Sequence, residues 1–180
     1  LIKAANGLVS GSRRTVVSVN EALMVCGLPA VRTMALGFSL LSDYRSGSCV
    51  AFDYNRFWAG SLLLGVSLQV FAQRTRVAAA DELFSLGLLL RVGELGLATV
   101  YPDDYSRVLE GVVRDPETSL LEAETAMFAI SHAELGAAML TDWGLPQVFV
   151  EAAAHYSRPA PEQCAPGSRA QRLAQVVVLA

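Results

Sequence analysis

Helix-start and helix-stop signals recur along the whole sequence, and they constrain the fold more than any other feature. Ser18 and Glu21 have the three-residue spacing of a capping box, and Ser131 and Glu134 repeat it. The alternation of polar and apolar residues that is typical of strands is sparse. The sequence therefore predicts an all-α fold, a compact bundle of about eight or nine helices with short connections.

In the first half, these signals predict the bounds of individual helices. The helix after Ser18 should end at Gly27, because glycine readily takes the left-handed conformation of a C-cap. Pro29 fits the first position of a helix that runs to about Tyr44. Asp53 can cap a long apolar helix over about 54–74.

The remaining helices are predicted in the same way. A helix covers about 78–90, Gly93 and Gly96 disturb the stretch that follows, and Pro102 starts a short helix to about Glu110. Further predicted features are a helix from Asp115–Pro116 to near Ala129, one from His132 to near Trp143, one opened by Pro146 that carries His155 near its end, an extended loop at Pro159, Pro161 and Pro166, and a last helix from near Ser168.

The apolar content raises the question of a membrane span. The chain is 53% hydrophobic, and residues between Arg56 and Arg74 carry no charge. A spanning helix needs about 20 mostly apolar residues. This stretch is shorter and contains Ser61, Ser67 and Gln69, so we predict a buried core helix and no membrane association.

Charge and cysteine content exclude further classes. A net charge of -3 argues against nucleic-acid binding, which usually shows a basic patch. The three cysteines form no C-x-x-C pair, which favours a reducing, cytoplasmic setting. The chain starts at Leu1 without a Met, and we expect it to be a fragment of a longer protein.

Common catalytic motifs are absent from the sequence. There is no G-x-x-x-x-G-K-[ST] phosphate loop, no G-x-G-x-x-G after a strand and no G-x-S-x-G. A serine or cysteine nucleophile would need a base, and only His132 and His155 could serve. We expect the cysteines to be small buried hydrophobes.

Several segments, in order, resemble the HDOD domain, a non-catalytic relative of the HD and HD-GYP phosphohydrolases. The matching segments are Leu1–Gly7, Val17–Gly27, Phe57–Ser61, Phe84–Gly93, Glu122–Glu124, Ser131–Leu140, Trp143–Pro146 and His155–Tyr156. The resemblance covers essentially the whole chain. It implies a single domain over 1–180 that lacks the family's first few helices and comes from a multidomain protein.

Departures from the catalytic relatives concern the metal ligands. The adjacent His-Asp pair that binds metal in the catalytic relatives would fall at Leu90–Arg91. Leu90 offers only a hydrocarbon side chain, and Arg91 is a fixed cation. An early ligand histidine would fall close to Gly60, and one of two tandem histidines has become Tyr156. His132 and His155 alone cannot supply three protein ligands. We therefore expect no metal, no cofactor and no catalytic residue.

The resemblance leaves a remnant site whose residues have competing interpretations. Its candidate residues, for ligand binding or interaction, are His132, His155, Arg91, Tyr156, Trp58 and Glu94. The histidines can instead have structural roles, with His132 at the surface or bonded to nearby backbone. Arg91 can pair with Glu94 at i,i+3 or fill the former metal pocket.

Two further groups are given structural interpretations. Trp58 and Trp143 are expected to be core or helix-packing residues rather than ligand-stacking ones. The acidic residues Glu117, Glu122 and Glu124 are expected on solvated faces.

The resemblance implies a regulatory module of a bacterial signalling protein, such as those that contain receivers or cyclic-di-GMP domains. Its partners would be other domains of the same chain or a signalling protein, or a second copy in a homodimer. The alternative is a sensor that binds a nucleotide, such as a cyclic dinucleotide, or another anion. A residual metal-dependent phosphohydrolase and a purely structural interaction surface also stay open.

Overall fold

The computed structural model describes residues 1–9, 15–28, 31, 47–75 and 78–157, with the side chains of 73–75 excluded. Within these ranges all regular structure is α-helical, which confirms the predicted fold class. The helices are α1 (Ile2–Leu8), α2 (Val19–Leu28), α3 (Tyr54–Thr75), α4 (Ala80–Leu89), α5 (Val92–Val100), α6 (Pro102–Arg114), α7 (Leu120–Phe128), α8 (His132–Asp142) and α9 (Gln147–His155). The predicted helix from Pro29 and the features predicted beyond 157 lie outside the described residues.

The predicted N-terminal caps are present. Ser18 Oγ accepts a hydrogen bond from the backbone N–H of Glu21 at 3.0 Å, and Asp53 Oδ1 accepts one from Arg56 N–H at 2.9 Å. Ser131 and Glu134 form a complete capping box at the start of α8. These contacts satisfy backbone donors that have no partner inside the helix.

Glycines with positive φ also lie close to two of the predicted helix ends. Gly27 (φ 75°) is one residue before the last described residue of α2, and Gly144 (φ 74°) follows α8. Only glycine takes this left-handed region without strain. Ala129 (φ 57°) takes the same conformation after α7, where the sequence predicted that helix to end.

The prediction that Gly93 and Gly96 disturb the chain is wrong, because both lie inside α5. A Cβ on Gly93 would stand 1.8 Å from the carbonyl oxygen of His132 and 2.8 Å from the backbone nitrogen of Gly136. Gly93 therefore allows α5 to contact the backbone of α8. Close packing outweighs the cost of glycine in a helix, which is about 1 kcal/mol.

The start predicted for α7 is also wrong. The helix begins at Leu120 rather than at Asp115–Pro116, because Ser119 Oγ accepts a hydrogen bond from the backbone N–H of Glu122. The preceding helix α6 continues through Gly111 to Arg114, beyond the predicted end at Glu110, because a single glycine inside a helix is tolerated at a cost of about 1 kcal/mol.

The buried side chains form two apolar clusters. The larger cluster joins α1, α2, α3, α4, α8 and α9 and includes Leu68, Leu86 and Phe149. The smaller cluster joins α5, α6 and the start of α3. It includes Tyr105 from α6 and Phe57 from α3. Leu90 is fully buried at the turn between α4 and α5. The next residue, Arg91, therefore lies where the two helices meet.

One apolar stretch is long enough to cross a membrane by length and composition, namely Ala80–Val100. It is 56% buried inside the fold and breaks into α4 and α5 at Leu90–Arg91. This burial is typical of core helices in a soluble fold. The uncharged stretch of α3 raised the question of a membrane span in the sequence. It is not among the candidate spans in the described residues.

Candidate functional site

His132 is the first residue of α8 and is 5% exposed, so the expectation of a surface position is wrong. Its backbone N–H donates to Glu124 Oε2 at 2.8 Å, and its ring Nδ1 lies 2.6 Å from the same oxygen. The first N–H groups of a helix have no partner within the helix. The carboxylate of Glu124 supplies one and places negative charge at the positive end of the helix dipole.

Glu124 lies in α7 and is fully buried, which contradicts the prediction of a solvated face. A third donor, the Tyr105 hydroxyl, bonds its Oε1 at 2.9 Å. Burial of a carboxylate is costly unless its oxygens are paired. Here the Glu124 oxygens accept from the backbone N–H of His132 and from the Tyr105 hydroxyl, and one of them also contacts the His132 ring.

The other ring nitrogen of His132 is also engaged. Nε2 lies 3.3 Å from Ser157 Oγ, just beyond the end of α9. The imidazole is thus held by Glu124 of α7 on one side and by Ser157 on the other. Within the described residues, each ring nitrogen therefore has a polar neighbour.

Arg91 and Glu94 form a two-pronged ion pair, as one of the alternatives predicted. Arg91 Nε lies 2.8 Å from Glu94 Oε1, and Nη2 lies 2.7 Å from Oε2. Glu94 is 8% exposed. The hydrogen bonds that Arg91 donates to Glu94 raise the pKa of the guanidinium above its ordinary value, so it stays charged.

The remaining guanidinium nitrogen reaches α3. A Cβ built on Gly60 would lie 2.5 Å from Arg91 Nη1, and Arg91 Cζ lies 5.4 Å from the centre of the Phe57 ring. The guanidinium therefore fills the space beside Gly60 and also contacts an aromatic face. The second alternative, in which Arg91 fills the position that the resemblance assigns to a metal pocket, is compatible with the first in this geometry.

Tyr156 links the two halves of the site. Its hydroxyl donates to Glu94 Oε1 at 3.2 Å, and its ring centre lies 5.9 Å from that of His132. Burial, followed by the charge of Glu94, raises the pKa of the Tyr156 phenol. Burial and then Glu124 raise the pKa of Tyr105. Both phenols therefore remain hydrogen-bond donors at neutral pH.

We call this assembly the buried polar network. Its members are Arg91, Glu94, Tyr105, Glu124, His132 and Tyr156. Four of the six candidate residues from the sequence therefore lie together. Sequence reasoning missed Tyr105 and the burial of Glu124, although Glu124 does lie in a segment that resembles the family.

The other two candidates lie outside the network. Trp58 is 56% exposed, so the prediction of a core residue is wrong for it. Its ring packs edge to face with the ring of Phe57, with 5.0 Å between the ring centres. Trp143 packs against the larger apolar cluster, as predicted.

His155 lines a groove next to the network. The groove has a volume of about 670 Å³, and Ser157, Ser131, Glu134 and Glu122 contribute to its walls. Ser157 also bonds His132, so it connects the groove to the network. The groove is large enough for a small ligand. Its carboxylates disfavour an anionic one.

The residues do not match the needs of a metal centre. Among the described residues, no three His, Cys, Asp or Glu side chains are close enough together to hold an ion. At the position of the His-Asp pair, Leu90 is buried hydrocarbon and Arg91 is a cation. A divalent ion needs deprotonated ligands and would be repelled by the guanidinium.

Comparison with known proteins identifies relatives of this chain. The sequence profile of the HDOD domain matches residues 1–159. The response regulator MmoQ from Methylococcus capsulatus is 39% identical with a TM-score of 0.86, over 99% of this chain and 68% of that one. An HDOD domain protein of unknown function from Geobacter sulfurreducens is 22% identical with a TM-score of 0.62, over 98% and 57%.

A third structure, a protein from Shewanella amazonensis named as a candidate phosphohydrolase, is 19% identical with a TM-score of 0.61, over 99% of this chain and 63% of that one. At that identity the likeness concerns the fold alone. No protein of curated function matches the chain. The chain spans about two thirds of the length of MmoQ. The profile match over most of the sequence shows that the chain belongs to the HDOD domain family.

Proposed function

We propose that the chain is a non-catalytic regulatory module of a bacterial signalling protein and works in the cytoplasm. It would act through contacts with other domains of its own chain or with a signalling partner. The observation that carries this proposal is the position of Arg91. Its guanidinium fills the space beside Gly60 and is held by Glu94 where catalytic relatives would need metal ligands.

Displacement of Arg91 by a metal ion would be costly. The ion would have to break two charge-assisted hydrogen bonds at 2.7 and 2.8 Å. It would gain no ligand from Leu90 or from Gly60. Removal of one partner from a buried ion pair typically costs about 3–5 kcal/mol. This cost supports a structural role for Glu94 rather than a catalytic one.

His132 is also unsuited to metal binding or general-base chemistry. Its Nδ1 is hydrogen-bonded to Glu124, and its Nε2 contacts Ser157 Oγ. A histidine ligand often has such a carboxylate partner, which orients the other nitrogen toward the metal. Here the partner of that nitrogen among the described residues is the hydroxyl of Ser157. We therefore assign His132 to the stability of the α7–α8 junction.

The response regulator MmoQ, one of the relatives of this chain, supports a signalling role. MmoQ is described as a response regulator, and it is 39% identical to this chain. The network of ion pairs and buried phenols would give the module a rigid surface for interdomain contacts. The output could belong to cyclic-di-GMP signalling, as in other proteins of the family that the sequence resembles.

A second candidate function is a sensor for a small ligand in the groove. The contact of Ser157, which lines the groove together with His155, with His132 favours it, because a ligand there could alter the network. Glu122 and Glu134 make a cyclic dinucleotide or another anion a poor fit. Arg91 does not compensate for them, since Glu94 balances its charge.

Two assays test the proposal. The first measures hydrolysis of bis-p-nitrophenyl phosphate and cyclic di-GMP with Mn²⁺ or Mg²⁺ added. We expect equal background rates for the wild type and the His132→Ala variant. A wild-type rate that depends on metal and is lost in His132→Ala would overturn the non-catalytic assignment.

The second assay measures the thermal midpoint of unfolding in millimolar cyclic di-GMP or cyclic di-AMP. A ligand that binds only the native state must raise this midpoint. The regulatory proposal predicts no shift. A shift that increases with ligand concentration and is lost in Ser157→Ala or His155→Ala would support the sensor function instead.

A further inference from the structure

One face of α3 exposes five large apolar side chains. They are Trp58 (56% exposed), Leu62 (52%), Leu63 (66%), Val66 (44%) and Val70 (49%). We call them the α3 apolar face. Single exposed apolar residues are normal on soluble proteins, whereas a contiguous group of this kind marks an interaction surface.

The opposite side of α3 already packs within the fold. Leu68 and Ala72 are buried there in the larger apolar cluster. Gly65 and Gly87 bring α3 so close to α4 that a Cβ on Gly87 would lie 2.6 Å from the Gly65 backbone. The apolar face is therefore surplus to the internal packing of this helix.

The spacing of these residues suits helix-to-helix contact. Trp58, Leu62, Val66 and Val70 are four residues apart, so they form one ridge along about 18 Å of the helix. Leu63 belongs to the neighbouring ridge, and a groove runs between them. Ridges at this spacing interdigitate when two helices cross at about −50°, the commonest packing of globular proteins.

We propose that the α3 apolar face is the contact surface between two copies of this chain. Five half-exposed side chains of this size leave on the order of 500 Å² of surface per copy. Two copies would therefore bury about 1,000 Å², which is near the minimum for a specific interface. A twofold axis through α3 would place the same surface on both sides.

Charge also favours a second copy as the occupant. Residues 57–73 carry no charged side chain, so two identical faces can meet without like-charge repulsion. A partner domain chosen for charge complementarity would find nothing to match here. This proposal does not depend on the regulatory function, because an enzyme or a sensor could dimerise through the same face.

Sedimentation velocity over a wide range of concentrations tests the proposal. The wild-type chain should shift from monomer to dimer as concentration rises. The Val66→Lys variant places two like charges at the centre of the contact and should raise the dimer Kd at least ~100-fold. Its matched control is Val113→Lys, on α6, where the valine is 80% exposed and off the face; this variant should dimerise like the wild type.

Three results would overturn the proposal: a wild type that stays monomeric, a Val66→Lys variant that dimerises like the wild type, or equal weakening by both lysines. Circular dichroism checks that each variant is folded. If Val66→Lys does not fold, Leu63→Gln tests the same contact, because Leu63 is more exposed and glutamine adds no charge. It should also weaken the dimer, and an unchanged Kd would count against the interface.

Discussion

Replacement of Gly93 by alanine tests the contact that positions the buried polar network. Gly93 is the second residue of α5, beside the start of α8. An added Cβ would lie 1.8 Å from the carbonyl oxygen of His132 and 2.8 Å from the backbone nitrogen of Gly136. Both obstacles are backbone atoms of α8, so no side-chain rotation can relieve the clash.

The size of the effect follows from these distances. Ordinary contact requires α5 and α8 to separate by about 1.5 Å, which would loosen the packing between these two helices. Overpacking of this kind costs about 1–3 kcal/mol and sometimes more, and alanine recovers up to about 1 kcal/mol of helix propensity. Because the clash displaces backbone atoms here, we expect the free energy of unfolding to fall by about 3 kcal/mol. This corresponds to a fall of about 6–12 °C in Tm.

Thermal unfolding followed by circular dichroism measures this loss, and Gly111→Ala is its matched control. Gly111 lies inside α6 with nothing within 4 Å of an added Cβ. Alanine there should raise stability by about 1 kcal/mol, or about 2–4 °C in Tm. A Gly93→Ala variant with a Tm equal to or above that of the wild type would refute the close approach of α5 and α8.

Three further predictions concern single side chains. Glu124→Gln should lower the free energy of unfolding in urea by about 3 kcal/mol, because a neutral amide replaces a buried acceptor of three donors. Its control, Glu117→Gln at an exposed position, should change this free energy little. Equal effects of the two variants would contradict the assigned burial of Glu124. Ser61→Ala should raise the free energy of unfolding by about 1 kcal/mol, because Ser61 Oγ is buried without a hydrogen-bond partner in the described part of the chain. A lower free energy of unfolding in this variant would reveal a partner. Hydrogen bonds from Ser131, chiefly from its backbone N–H, lower the pKa of Glu134 below its ordinary 4.5, so its stabilisation is full above that pH and disappears as pH falls through the lowered value. The stability difference between wild type and Glu134→Gln should therefore vanish in acid, and a difference that is constant with pH would contradict this assignment.

Local signals in the sequence predicted much of the secondary structure. The caps at Ser18, Asp53 and Ser131 act on backbone groups within three residues, so their effect can be read without the tertiary fold. The i,i+3 pair of Arg91 and Glu94 is local in the same sense. For such features the relevant partner is always near in the chain.

Errors arose where distant residues decide the outcome. Gly93 looked like a helix breaker, but α8 lies against it and makes glycine necessary. Glu124 looked solvated, but Tyr105 and His132 surround its carboxylate. Trp58 looked like a core residue, yet the structure leaves it exposed. No periodicity in one segment contains this information.

The metal content of the chain tests the central claim most directly. The chain would be reconstituted with Mn²⁺ or Zn²⁺, passed through gel filtration and measured by elemental analysis. Because Arg91 fills the space beside Gly60 and His132 is bound to Glu124, we predict much less than one ion per chain. One or two ions retained per chain, and lost in the His132→Ala variant, would contradict the account.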